Sequence, residues 1–327
     1  MKKIAVLFLL IQGVFTMGYS QDTTEEFKPG GKPLALIFAN FHSDFIDGET
    51  YPAYEITRAY LGYEYNFSKT WYAKTVLDVG NPESGKLQMT AYLKNAYLQY
   101  SKSNFTASFG LVATTQFKVS EKIWGNRYVE KSFQDAYKFN ASADLGMSFD
   151  YRFADFISAD FILVNGEGYK KLQSDKYLRP GLGVTINPVK EVMARVYVDY
   201  MGKETKQQSL ATLLAYTGSK FVIAGEYNYQ KNFGMSEGKD IYGTSFFANY
   251  QPCEKFKLFG RFDDLKSKKL PGETNPWNLN KDGQLYLAGI EYSPVKGVKV
   301  APNFRFWNTA DGSPNTTSLY LNCEIKF

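Results

Sequence analysis

The chain has 327 residues, 44% of them hydrophobic and 17% aromatic, with a formal net charge of +5. Its mean hydropathy is −0.34, and past residue 20 no apolar run approaches the ~18–20 residues of a spanning helix, which excludes a helical membrane protein. One His and two Cys exclude most metal centres and a disulfide scaffold, and the small net charge carries no nucleic-acid signal.

Residues 1–20 read as an export signal. Lys2 and Lys3 precede an apolar stretch from Ile4 to Phe15, and Gly18 and Ser20 are the small residues of a cleavage site. Residues 21–32 then read as a short acidic, Pro/Gly-containing tether, and 33–327 as one domain.

From Pro33 onward one unit repeats: an alternating stretch, a tight turn, another alternating stretch, and a longer polar loop. The pattern predicts strands at 34–45, 54–67, 70–81, 92–102, 105–117, 139–153, 157–166, 176–187, 191–202, 208–217, 220–231, 241–251, 255–265, 284–293, 297–307 and 317–327. In Glu191 to Tyr200, the apolar set Val192, Ala194, Val196, Val198 and Tyr200 opposes Glu191, Met193, Arg195, Tyr197 and Asp199. In the last ten residues Leu319, Leu321, Cys323, Ile325 and Phe327 oppose Tyr320, Asn322, Glu324 and Lys326. One face suits hydrocarbon and the other suits water. Sixteen such strands, with tight even-to-odd turns and long odd-to-even loops, predict an all-β, 16-stranded antiparallel transmembrane barrel with short periplasmic turns. Aromatics bracket the tight turns, as with Phe67 and Trp71, or Tyr216 and Phe221, and read as a girdle at headgroup level.

The C-terminal stretch Tyr320 to Phe327 resembles the closing strand of bacterial outer-membrane porins. A narrower stretch, Phe105 to Phe133, resembles the phosphate-selective porin O/P family through Gly110, Gln116-Phe117-Lys118, Glu121 and Glu130-Lys131; that family's Pro after Gln-Phe-Lys is missing, and Lys131 stands where Arg is usual. The resemblance implies a trimer and a third outer loop folded into the lumen. That loop, 118–138, carries Lys118, Lys122, Arg127, Lys131 and Lys138 against Glu121, Glu130 and Asp135, with Trp124, Tyr128 and Phe133 expected to pin it to the wall.

Projecting the polar face inward places ten charges of each sign on the lumen wall. Among them are Arg58, Lys74, Arg152, Arg179, Arg195, Arg261 and Arg305, against Asp144, Asp199 and Glu226. Such a wall has no overall sign, so many of its charges are expected to pair across strands, and only the third loop favours anions. His42 beside Asp44 is read as a polar wall pair rather than a catalytic one. Asn278-x-Asn280-x-Asp282-Gly283 starts like a calcium loop but has Gly289 at position 12, so it is read as a turn. Cys253 and Cys323 are expected as free thiols.

The expectation is a passive diffusion channel for small hydrophilic solutes or ions, mildly anion-preferring. It would be a homotrimer in outer-membrane lipid and lipopolysaccharide, with neither cofactor, metal nor enzymatic activity. The alternative is an accessory barrel that binds a partner through loop 266–283, with Trp277 at its apex.

Overall fold

The computed structural model describes residues 27–80, 89–202 and 204–327; the expected export signal lies outside them. Sixteen antiparallel strands close on themselves, each bonded to its sequence neighbours and β1 to β16. They are β1 Gly30–Ile46, β2 Glu49–Asn66, β3 Trp71–Gly80, β4 Thr90–Lys102, β5 Phe105–Ala113, β6 Ala143–Ala154, β7 Ile157–Val164 and β8 Arg179–Val189. The second half is β9 Val192–Gly202, β10 Lys206–Thr217, β11 Phe221–Lys231, β12 Ile241–Cys253, β13 Phe256–Ser267, β14 Gly283–Tyr292, β15 Val298–Thr309 and β16 Thr316–Lys326. Closure runs in register from Leu36↔Lys326 to Ile46↔Thr316. Phe327 extends it by exchanging backbone hydrogen bonds with Ala35, at 3.0 and 3.1 Å.

The exposure pattern is the reverse of a soluble protein's. Leu214 and Ile223 are 62% and 56% exposed, whereas their inward neighbours Leu213 and Ala224 are 6% and 4% exposed. A continuous outer belt of Leu, Ile, Val and Phe would aggregate in water and is stable only in hydrocarbon, where closure leaves no unpaired strand edge. Around the rim of tight turns, rings pair across strands: Trp71 with Tyr100 at 5.0 Å, Phe221 with Tyr250 at 4.5 Å and Phe256 with Tyr292 at 5.0 Å.

The expected strands are all present, with three differences in extent. Gly30–Lys32, expected in the tether, already pair with Glu64–Asn66. The first outer connection is not a loop over 46–53 but the two-residue turn Asp47-Gly48, with φ of 50° and 81°. Positive φ at both positions is what a tight twisted hairpin demands. β5 stops at Ala113, four residues early, and β6 starts at Ala143, four residues late, so the third connection runs from 114 to 142.

Besides register shifts next to three tight turns, two β-bulges interrupt the strict alternation within the strands. Between Phe38 and Ala39 the partner strand jumps from Arg58 to Ile56, leaving Thr57 unpaired. Between Val76 and Leu77 it jumps from Asn95 to Leu93, leaving Lys94 unpaired. Each extra residue switches the parity of its strand, so Tyr54 and Ile56 face out before the first bulge, and Leu61 and Tyr63 after it.

Gly110 faces Gly146 across β5 and β6, and both have positive φ. A Cβ at Gly110 would lie 2.3 Å from the Ala96 carbonyl oxygen. Gly110→Val should therefore reduce the folded fraction sharply, read as loss of the fast-migrating folded band in semi-native electrophoresis; an unchanged band would refute the reading.

Candidate functional site

The 114–142 connection lies inside the barrel. Its first part is the helix α1, Thr115–Trp124, stopped by Gly125 in the left-handed conformation. Phe117, Ser120 and Trp124, spaced three and four apart, form its buried face, while Lys118 and Lys122 are exposed. A single turn, α2 (Phe133–Ala136), follows.

The loop is tied to the wall along its length. Trp124 is 1% exposed, with its ring edge-on to Phe247 and Phe259 at 5.3 and 6.3 Å. Asn126 donates to Asn249 at 2.7 Å, and Asn249 donates back to the Trp124 carbonyl at 3.0 Å. Tyr128 donates to Glu291 at 2.8 Å, and Asn322 donates to the Tyr128 carbonyl at 3.1 Å. Arg305 donates to the Val129 carbonyl at 2.6 Å and to Glu130 at 2.9 Å. Arg261 donates to the Lys131 carbonyl, and Phe133 is fully buried against Phe139, Ile241 and Leu265. The three aromatics expected to anchor the loop all do so.

On the facing wall, Arg127 is the tie. It pairs with Glu121 and, at 2.5 Å, with Asp135, and it donates to the Tyr60 hydroxyl at 3.3 Å. Burial opposes ionisation of Asp135, but Arg127 and Lys131 outweigh it and hold its pKa below the ordinary 3.8. Beside this pair, Asp78 accepts from Arg58 and from Tyr169, both at 2.9 Å, with Lys94 at 3.9 Å. Lys94 also donates to Ser142 at 2.9 Å and lies over the Tyr60 and Tyr169 rings. Lys94 was absent from the projected wall. Strict alternation puts it on the same face as the outward Leu98, and only the bulge turns it inward; no feature of one sequence marks that bulge.

Loop and wall together leave three basic cavities, beside a fourth of about 200 Å³ near the tight turns that carries Asp150 and Asp160 against Arg152. One of about 470 Å³ carries Arg58, Arg127, Lys131 and Arg305 against Glu55 and Glu130. One of about 580 Å³ carries Lys74, Lys94, Lys118, Lys122, Arg127 and Lys326 against Glu121 and Glu324. A smaller one of about 220 Å³ carries Arg58, Lys131, Lys138, Lys170 and Lys171 against Asp135 and Glu167. The two larger cavities share Phe38 and Arg127, which places these residues between them.

The projected wall charges divide into two groups. Arg58, Lys74 and Arg305 face the cavities, Lys74 paired with Glu64 at 2.9 Å. Arg152 lies exposed at a tight turn, donating to Asn104 at 3.1 Å. Asp144, Asp160, Asp199, Glu226 and Asp263 are all buried; none lines the three basic cavities, while Asp160 lines the fourth and Glu226 a crevice of about 10 Å³ beside α1. Three bases are buried among them. Arg195 pairs with Asp160 at 2.5 Å, Arg261 pairs with Asp263 at 2.6 Å, and Arg179 makes no direct hydrogen bond through its guanidinium. Arg195 also donates to the Thr115 carbonyl at 3.0 Å, so the start of α1 sits on this acidic wall. The cavities beside the loop are therefore basic although the wall is balanced, because the buried part holds more acids than bases.

Similarity to solved structures covers nearly the whole chain. Pseudomonas putida OprB has a TM-score of 0.71 at 8% identity, over 91% of this chain and 94% of its own. Salmonella typhi OmpF in complex with daunomycin gives 0.68 at 14%, over 91% and 97%. An anion-selective porin from Comamonas acidovorans gives 0.67 at 10%, over 92% and 100%. The chain has the fold of these barrels. No family model matches the sequence, and no curated protein does, so the narrower resemblance to the phosphate-selective family has no such support.

The remaining singled-out residues have structural surroundings. His42 bonds Asn40 at 2.8 Å and stacks on Tyr320 at 4.8 Å, and both Asp44 and Glu55 lie within 3.9 Å of its ring. In the calcium-like segment, Asp282 accepts from the Ser267 hydroxyl and amide at 2.6 and 2.9 Å and from Asn278 at 3.2 Å, as a turn would. Trp277 is not an exposed apex. It donates to the Asp240 carbonyl at 2.8 Å and packs against Phe233, so the loop that carries it is folded onto the rim. Both cysteines are free thiols.

Asp135 ionises more readily in the fold than in the unfolded chain, so its tie to Arg127 is intact above pH 3.8 and is lost as pH falls through its lowered pKa. Hydrogen exchange of the amides around 126–138 should be unchanged from pH 7 to pH 5, after correction for intrinsic rates, and should rise below the ordinary Asp range. Arg127→Gln should raise it at neutral pH by the equivalent of about 2 kcal/mol, a buried-pair loss discounted for partial exposure.

Proposed function

We propose that the protein is an outer-membrane porin, a passive channel for small hydrophilic solutes with a preference for anions, exported by its N-terminal signal and assembled as a homotrimer. The observation that carries this is the lumen's sign. The larger cavities hold four basic side chains to two acidic and six to two, while five of the wall acids, Asp144, Asp160, Asp199, Glu226 and Asp263, are buried. Charge of one sign along a narrow aqueous path lowers the barrier for the opposite ion. The similarity to porins of known structure supports a pore-forming role, and the apolar outer belt supports a membrane position. In this reading permeation is the whole activity and His42 is a polar wall residue.

The loop's many ties across the lumen favour a second reading, an occluded barrel that serves as a scaffold for another protein. Bilayer recordings separate the two. In a potassium chloride gradient, the reversal potential should report chloride as a few-fold more permeant than potassium, and Lys118→Glu with Lys122→Glu should move it toward cations. Steps absent from purified, folded protein would select the scaffold, and a clear cation preference would refute the anion reading.

A further inference from the structure

The 580 Å³ cavity has a second property that a pore for inorganic ions does not require. Along β1 the inward residues are Leu34, Leu36 and Phe38, and Val76 on β3 continues the strip. Leu34 and Leu36 are only half-buried, whereas other inward apolar residues of the wall, such as Leu213, Phe247 and Leu287, are buried. Facing the same cavity are Lys94, Lys118, Lys122, Arg127 and Lys326. Among the described residues Lys122 and Lys326 have no ion-pair partner, whereas Lys118 has Asp150 at 3.7 Å and Arg127 has its carboxylate pair. Water gains nothing from an apolar strip, and small inorganic anions are repelled by it because they lose hydration there.

We propose that this cavity is a binding site for organic anions that combine one carboxylate or similar head with an apolar body. The inference rests on the channel reading above and narrows its substrate class. The head meets the cationic side, with Lys122 and Lys326 as the unpaired partners, while the body lies on Leu34, Leu36 and Phe38. The volume is within the ~300–1,000 Å³ range of small-molecule sites, so a benzoate-sized anion fits with room for its hydration water. Phe38 and Arg127 also line the 470 Å³ cavity, so an anion held here stands at the junction of the two and obstructs the flow of smaller ions.

The test is chloride current through the reconstituted full-length channel, with sodium benzoate or sodium acetate added at equal concentrations. Benzoate should reduce the current in a saturable manner, at a concentration about tenfold below that needed for acetate, as the burial of part of a ring predicts. Leu34→Ser with Leu36→Ser should bring the two anions together without removing chloride preference. Lys122→Gln should weaken both and keep their ratio. Equal block by the two anions in the native channel, or a ratio unmoved by the leucine changes, would overturn the proposal while leaving an anion-preferring channel intact. A channel that conducts but prefers cations would instead remove the reading on which the proposal rests.

Discussion

The constraint on which everything else depends is the closure of the sheet. A barrel surrounded by hydrocarbon has no water to satisfy a free strand edge, so the last strand has to find the first. Here it does so along the full register from Ile46↔Thr316 to Leu36↔Lys326, and the terminal Phe327 adds one more pair with Ala35. Once the ring is closed, each residue has an inside or an outside, and the two-residue period of each strand decides which. The outer belt and the polar lumen are both consequences of that single geometric event.

Closure alone would leave a wide lumen with charges of both signs. The 114–142 segment changes it by folding inward and packing its apolar residues against part of the wall. Trp124, Tyr128 and Phe133 have no other place to bury, since the belt outside is already in contact with hydrocarbon and the rim is wet. The side chains that accompany them, Asn126, Arg127 and Glu130, reach partners on β1–β2 and β12–β16. The same packing sequesters Asp160, Asp199, Glu226 and Asp263. The charge that the lumen presents thus follows from which side chains remain in contact with it.

Much of the fold was legible in the sequence because a membrane barrel imposes its period at every step. Alternation such as Val196, Val198 and Tyr200 against Arg195, Tyr197 and Asp199 repeats through sixteen strands, and tight turns separate them at regular intervals. The failures have local causes. Asp47-Gly48 makes a two-residue turn where the polar composition of 46–53 read as a loop. Residues 114–117 and 139–142 carry strand-like composition, yet 115–117 open α1, which is stabilised by its contact with the far wall. Trp277 looked like an exposed apex because nothing nearby in the chain shows that Phe233 is its partner. Lys94 is missing from the projected wall because one bulge reverses parity without altering composition.

By itself the sequence determined the class of the molecule. The hydrophobic pattern, the turn spacing and the terminal aromatic strand depend only on local period and on the solvent each face meets, and a single strand is enough to express them. It also determined that the third loop carries more bases than acids. The tertiary structure alone decided which charges the lumen keeps. Arg58 and Asp78, Arg127 and Asp135, and Arg195 and Asp160 find one another across strands and loops, at separations in the chain that no periodicity encodes. Net charge is additive along a sequence, but the field in a pore comes from the charges left unburied, and burial is a property of packing.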